Sequence, residues 1–290
     1  MNAEPRIGPI SLCAVITTDL EFASNAYSQV MGMTRGEVFT LDADTARALG
    51  MDEAAGSASR LLTGASGRQW LLQIEVPDAH VRDALGTYGW MAQEVLVEDV
   101  DALADTLEGT PFTLLRPPRE LDVDNTIRAC QALGPDGEIL YLTQVNGQMP
   151  GSELPESAQG VDHLFIAVLS SPDREASVSE YEGLSGGTVM AFDTRLSCVN
   201  QHRGWDLEER HPIATVQFAG RCLVEIDQIR DTDKPAPGLS AGTATICLLA
   251  AGAAPADALS LHTGPLAGYR AKAHTGIAGE RITLLYSENN

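Results

Sequence analysis

Asp19-Leu-Glu-Phe-Ala-Ser-Asn-Ala-Tyr-Ser-Gln-Val-Met-Gly-Met33 follows an apolar, β-prone run over residues 10–17. Leu20, Ala23, Tyr27 and Val30 recur at helical spacing and Gly32 supplies a stop, so the stretch reads as a strand running into a helix. Residues 59–64 and 69–76 read as two strands around the Gly-containing turn at Gly67. The pattern continues with a strand at 91–97 and a short helix at 99–107, whose acidic start suits the helix dipole. Strands at 127–132 and 138–145 flank Gly134-Pro-Asp-Gly137, a turn whose residues supply the required backbone angles. Residues 40–58, rich in Ala and carrying Asp44 and Asp52, read as a solvated helix filling an insertion.

The order then repeats. A strand at 161–169 precedes a helix at 172–183, with Pro172 in its first turn. Strands follow at 189–192, 214–219, 222–229 and 243–250. A short helix at 255–262 and strands at 269–274 and 281–286 complete the pattern. Gly67-Arg68 before an apolar strand recurs as Gly220-Arg221, Asp101-Ala-Leu103 as Asp257-Ala-Leu259, and Gly137-Glu138 as Gly279-Glu280. Three matches in one order indicate a duplication, each half holding two strand–helix–strands units. Residues 147–160, rich in Gly, Pro, Ser and Glu without apolar periodicity, read as the linker. The expected domains are therefore 1–146 and 161–290.

The chain has 290 residues, 44% of them hydrophobic and 20% charged, a globular composition with room for a large core. Forty acidic residues against 19 basic ones leave a net charge of −21. That charge repels nucleic acid and anionic membrane, so neither is an expected partner. No apolar run approaches the ~20 residues of a membrane span. The N-terminal residues lack a basic start and apolar core, and five widely spaced cysteines form no Cys-x-x-Cys. The cysteines read as reduced core residues of a cytoplasmic protein. No phosphate-binding loop, dinucleotide fingerprint, His-Glu-x-x-His or Gly-x-Ser-x-Gly is present, so no nucleotide cofactor is expected.

Asp19–Met33, Val97-Glu-Asp-Val-Asp-Ala-Leu103 and Gly134-Pro-Asp-Gly-Glu-Ile-Leu140 together resemble the vicinal-oxygen-chelate superfamily, the glyoxalase, bleomycin-resistance and extradiol-dioxygenase group. Gly134 stands where the family's hairpin begins with Asp. The resemblance implies an α+β fold of four βαβββ modules paired into two cup-shaped domains. It also implies a divalent metal such as iron, manganese or zinc, held by the first and last strands of each module. In the N-terminal half those positions fall at Leu12, Leu72, Ala92 and Tyr141, a set poorly suited to metal, so that half is expected to be structural. In the C-terminal half they fall at His163 and Glu225, the expected metal ligands. The fourth module offers only Cys247 or Thr245 and Thr283, a departure from the family pattern.

Outside that set, His274 shares a strand face with Lys272 and Arg270 and is a candidate acid–base residue. His202, in a long loop before a strand, is a second. Beside it, Arg203 and Trp205 could clamp an oxygenated aromatic ligand by ion pairing and stacking. The resulting expectation is a small-molecule enzyme, a metal-assisted lyase or isomerase rather than a ring-cleaving dioxygenase, acting on an oxygenated, aromatic-type catabolite. The alternatives are a metal-free sequestering protein of the drug-resistance type, and a metal-free lyase or cyclase with a His base. A homodimer is expected, because long chains of the superfamily often associate.

Overall fold

The computed structural model describes residues 5–122, 125–148, 151–157 and 159–288. Module one comprises β1 (Ile7–Thr17), α1 (Leu20–Met31), β2 (Thr34–Thr40), α2 (Ala43–Ala48), β3 (Ala58–Thr63) and β4 (Gln69–Glu75). A short β5 (His80–Val81) leads to module two: β6 (Gly89–Val97), α3 (Val100–Asp105), β7 (Thr113–Glu120), β8 (Ile127–Leu133) and β9 (Ile139–Val145). Module three is β10 (Val161–Ser170), α4 (Arg174–Ser185), β11 (Val189–Arg195), α5 (Ser197–Arg203), β12 (Arg210–Phe218) and β13 (Cys222–Asp227). Module four is β14 (Ser240–Ala250), β15 (Leu259–Leu261), β16 (Tyr269–Thr275) and β17 (Arg281–Ser287). Where a helix is expected at 255–262, the chain instead forms β15, paired with β16.

Each module helix starts the same way. Asp19, Asp99 and Asp173 are N-caps that accept from the backbone N–H three residues on, at 2.9, 3.0 and 3.0 Å. Gly32 and Gly186 close α1 and α4 in the left-handed region, with φ of 68° and 70°, where a side chain would be strained. The duplication also shows in the core. The Tyr27 hydroxyl of α1 donates to Glu138 at 2.6 Å, and the Tyr181 hydroxyl of α4 donates to Glu280 at 2.9 Å. Each pair joins the helix of one module to the last hairpin of the next.

The modules make two sheets, but not by halves. One sheet runs β15-β16-β17-β14-β1-β4-β3-β2, and the other β11-β12-β13-β10-β6-β9-β8-β7. Module one therefore pairs with module four through antiparallel β1–β14, and module two with module three through antiparallel β6–β10. The expected division into self-contained halves, 1–146 and 161–290, does not match these pairings. The four central strands are largely apolar and buried on both faces, so each suits any of the others as a neighbour. The stretch 147–160 joins two modules of the same sheet, although residues 149, 150 and 158 lie outside the described residues. It is not merely a spacer: Leu154 is buried against the core, and Ser157 bonds the end of β9 through both its backbone and its hydroxyl.

All five cysteines are free and buried, as expected. Among the described residues no helix is long and apolar enough to cross a membrane.

Candidate functional site

Each sheet curls into a cup, and the two cups have different contents. In the β1/β14 cup, α2 and the residues after it fill the space. Ala46, Ala48, Leu49, Met51 and Ala54 are fully buried against Leu12, Leu72 and Cys247. Thr245 donates to the Leu49 carbonyl at 2.8 Å, and Thr283 to the Ala48 carbonyl at 2.7 Å. The segment expected to be a solvated helix is thus a plug. Its acidic residues Asp44 and Asp52 face outward, which is the polar side the composition revealed.

The β6/β10 cup encloses a cavity of about 100 Å³. Strand register explains its lining, because cross-strand partners share a face. Ile166 of β10 stands beside Glu94 of β6 and Leu223 of β13, and Glu94 stands beside Tyr141 of β9. Glu225 of β13 neighbours Thr215 of β12. All six residues line the cavity, and α5 covers it with Ser197 and Cys198. The Tyr141 hydroxyl and the Cys198 thiol lie 3.2 Å apart. At the rim, Arg195 pairs with Asp122 through two hydrogen bonds, one of 2.5 Å, and with Glu208 at 2.6 Å. The N-terminal half, expected to be structural, supplies Glu94 and Tyr141 to this lining.

The carboxyl groups define the chemistry. Burial, reinforced by the charge of Glu225, holds Glu94 well above the usual carboxylate range, while the Thr143 hydroxyl, donating at 2.9 Å, opposes that rise. Burial also raises Glu225. Asp227, two residues further along β13, is raised by burial first and then by the charges of Glu225 and Glu94. Among the described residues neither Asp227 side-chain oxygen has a hydrogen-bond partner, so a proton is what lets it stay buried. Three carboxyls with mutual repulsion in one apolar cup cannot all ionise near neutral pH.

The structure does not bring together the site residues expected from sequence. His163 lies five residues before Val168, the β10 neighbour of Glu225, which is roughly 16 Å of strand at ~3.3 Å per residue. The two cannot share an ion. His163 Nδ1 lies 3.0 Å from Asp162, whose other oxygen accepts from Ser66, and burial together with the charge of Arg68 lowers its pKa. Ile166 holds the cup position instead. Both Leu12 and Ile166 stand seven residues before their N-caps, Asp19 and Asp173, and that count was the overlooked signal. Glu94, two residues beyond Ala92 on the same strand face, was missed for a different reason: it stands five residues before the Asp99 N-cap, where the same count points to Ala92, and it sits inside a mostly apolar run.

The other candidates lie outside the cavity lining. His274 on β16 is in the other sheet, bonded to Glu180 of α4 at 2.7 Å. His202 pairs with Asp83 at 3.0 Å on the outer side of α5. Arg203 donates to the Gly86 carbonyl at 2.9 Å. Trp205 stacks on His211 with ring centroids 5.8 Å apart, and Arg230 lies 3.8 Å from its ring centroid. The expected aromatic clamp is therefore a packing cluster that anchors the loop after α5.

The lining does not fit the superfamily's metal. Its four central positions hold Glu94, Tyr141, Ile166 and Glu225, and among the described residues no His lines the cavity. Among the described residues no three His, Cys, Asp or Glu side chains are grouped to hold an ion. Carboxyls held toward their protonated form are also weak ligands, since ligation needs the anion.

No protein-family model and no curated protein matches the sequence. Solved structures do. Glyoxalase I from Zea mays is 14% identical, with 97% of this chain and 93% of that chain covered and a TM-score of 0.64. Its E144Q mutant gives 15% identity, coverage of 97% and 94%, and a TM-score of 0.64. A dioxygenase-like protein of Bacillus subtilis gives 12% identity, coverage of 99% and 87%, and a TM-score of 0.64. Identities this low speak for architecture alone. With four βαβββ-type modules, the last without its α-helix, paired into two cups, the chain has the vicinal-oxygen-chelate fold.

Proposed function

We propose that this protein is a metal-independent, small-molecule enzyme of isomerase or lyase type, working in the β6/β10 cup with Glu94 and Glu225 as a proton-transfer pair. One observation carries the reading: two interacting carboxyls, both raised by burial, face one apolar cavity. Glu94 is burdened by the charge of Glu225 and keeps its proton, so it is the acid. Glu225 is the base. The substrate is a small oxygenated compound, since the cavity is of the same order as the ~150 Å³ space that admits benzene in an engineered protein.

The steps balance without a co-reactant. Glu225 takes a proton from a carbon next to a carbonyl, and the electron pair moves to the carbonyl oxygen as the proton of Glu94 is donated there. Return of the Glu225 proton to the former carbonyl carbon, while the adjacent hydroxyl gives its proton back to Glu94, completes an isomerisation of a hydroxycarbonyl compound; departure of a β-hydroxyl as water with the Glu225 proton, while the enol proton returns to Glu94, instead completes an elimination. The hydroxyls of Tyr141 and Thr215 are placed on the same face to orient the substrate oxygen.

A panel of small hydroxycarbonyl compounds incubated with the protein in deuterium oxide tests this by NMR. The expected result is exchange of one carbon-bound proton in at least one compound, slowed about 10²–10⁴-fold in Glu225→Gln. Exchange unchanged in Glu225→Gln and Glu94→Gln would overturn it. The apolar walls, including Leu121, Ile127, Leu154 and Phe192, favour a second reading as a sequestering protein. Saturable binding with no exchange would select that reading.

A further inference from the structure

A second cavity, of about 230 Å³, lies between the start of β6, the loop before β14 and the start of β17. Arg82 and Arg281 both line it. Arg82 donates to the Trp90 carbonyl. Among the described residues the Arg281 guanidinium has no hydrogen bond or ion pair. The acidic residues close by are engaged elsewhere. Asp83 pairs with His202, and the Glu280 carboxyl takes the Tyr181 hydroxyl and the Ala278 N–H. Burial pushes Arg82 down to about 10, with the charge of Asp83 opposing and that of Arg281 adding to the fall. In a chain of net charge −21, carboxylates are plentiful, yet among the described residues neither guanidinium of this pair makes an ion pair, although Glu280 lines the same space. The remaining wall offers hydroxyls. Thr243 accepts from Gln93 at 2.9 Å, which leaves its own proton free to donate, and Ser240 lies 3.1 Å from His80.

We propose that this cavity is a binding site for a small oxyanion, a carboxylate or a phosphate, held by Arg82 and Arg281 and completed by the Thr243 and Ser240 hydroxyls. Like charges this close destabilise each other, and an anion between them converts repulsion into two charge-assisted hydrogen-bonding sets. Planar guanidiniums match the oxygens of either anion. The site is separate from the β6/β10 cup and does not rest on the acid–base reading.

Calorimetric titration with inorganic phosphate and, separately, with acetate tests the proposal, with ionic strength held constant by sodium chloride. Saturable binding of at least one anion is expected. Binding of phosphate alone assigns the site to phosphoryl groups, and binding of acetate alone to carboxylates. Arg281→Gln should weaken binding about ten- to hundredfold, as loss of a hydrogen bond to a charged group does. Arg281 has no partner to lose, so its variant should keep the wild-type circular dichroism. Glu225→Gln should bind the anion as the wild type does. No saturable binding by either anion, or unchanged affinity in Arg281→Gln, overturns the proposal.

Discussion

Glu94→Gln turns the reading of the cup into a measurement of protons. In the folded protein Glu94 is buried beside Glu225 and holds a proton that the unfolded chain releases near pH 4.5. A carboxyl whose folded pKa is raised contributes stability that is fully present below its unfolded pKa and is lost as pH rises through its folded pKa. Wild-type stability should therefore fall relative to Glu94→Gln between about pH 5 and pH 8. One proton held by the folded state alone gives a slope of ~1.4 kcal/mol per pH unit. Removing Glu94 also takes its charge away from Asp227, whose pKa then drops and whose share of the variant's own decline shrinks, so the two profiles should diverge by at least ~1.4 kcal/mol per pH unit across the middle of that window. The amide keeps an oxygen for the Thr143 hydroxyl, so packing changes little. Urea unfolding at four pH values, with equal m values for both proteins, isolates the effect. Parallel stability profiles would mean that Glu94 is already ionised in the fold, and the carboxyl-pair argument would fail.

Leu49→Ala should cost about 2.7–5 kcal/mol in urea unfolding, because a fully buried side chain leaves the plugged cup; a loss under about 1 kcal/mol would show that the plug is not packed. Tyr181→Phe removes a donor that favours the ionised form of Glu280, so the Glu280 pKa, now raised to about 7, should rise further; a fall, followed by carbon-13 NMR, would contradict the hydrogen-bond assignment. Trp205→Ala should lower stability by about 1–3 kcal/mol while leaving cavity ligand affinity unchanged, and a loss of affinity would return Trp205 to the site.

The sequence announced what is local. Asp N-caps, glycine stops and the Gly134-Pro-Asp-Gly137 turn act within a few residues, so helix starts and hairpins were legible along most of the chain. Pairing of modules is non-local. The strands β1, β6, β10 and β14 are all largely apolar and buried, and nothing in their composition says which edges meet. The site suffered from both problems. Glu225 was found because it replaces Leu72 at a repeat position on a well-bounded strand. His163 attracted attention by residue type, whereas the spacing to Asp173 pointed to Ile166. Glu94 drew no attention in a mostly apolar strand, and its meaning came only when β10 placed Ile166 beside it.

The duplication explains why one cup can take a ligand and the other is filled. Equivalent insertions enter the two cups, α2 between β2 and β3, and α5 between β11 and β12. The same repeat position tethers each: Thr283 in one cup bonds the Ala48 carbonyl, and Tyr141 in the other meets the Cys198 thiol. Threonine is short and draws its insertion down onto the sheet. Tyrosine reaches a full ring further and holds its insertion off the sheet, leaving the 100 Å³ space. The neighbouring replacements follow the same logic. Cys247 and Leu72 suit a dry, plugged cup, while their counterparts Glu94 and Glu225 would be stranded under a plug, because a buried carboxyl without a partner is costly. A carboxyl pair is sustainable where a ligand can exchange protons with it, and of the two cups the β6/β10 cup keeps the space for one.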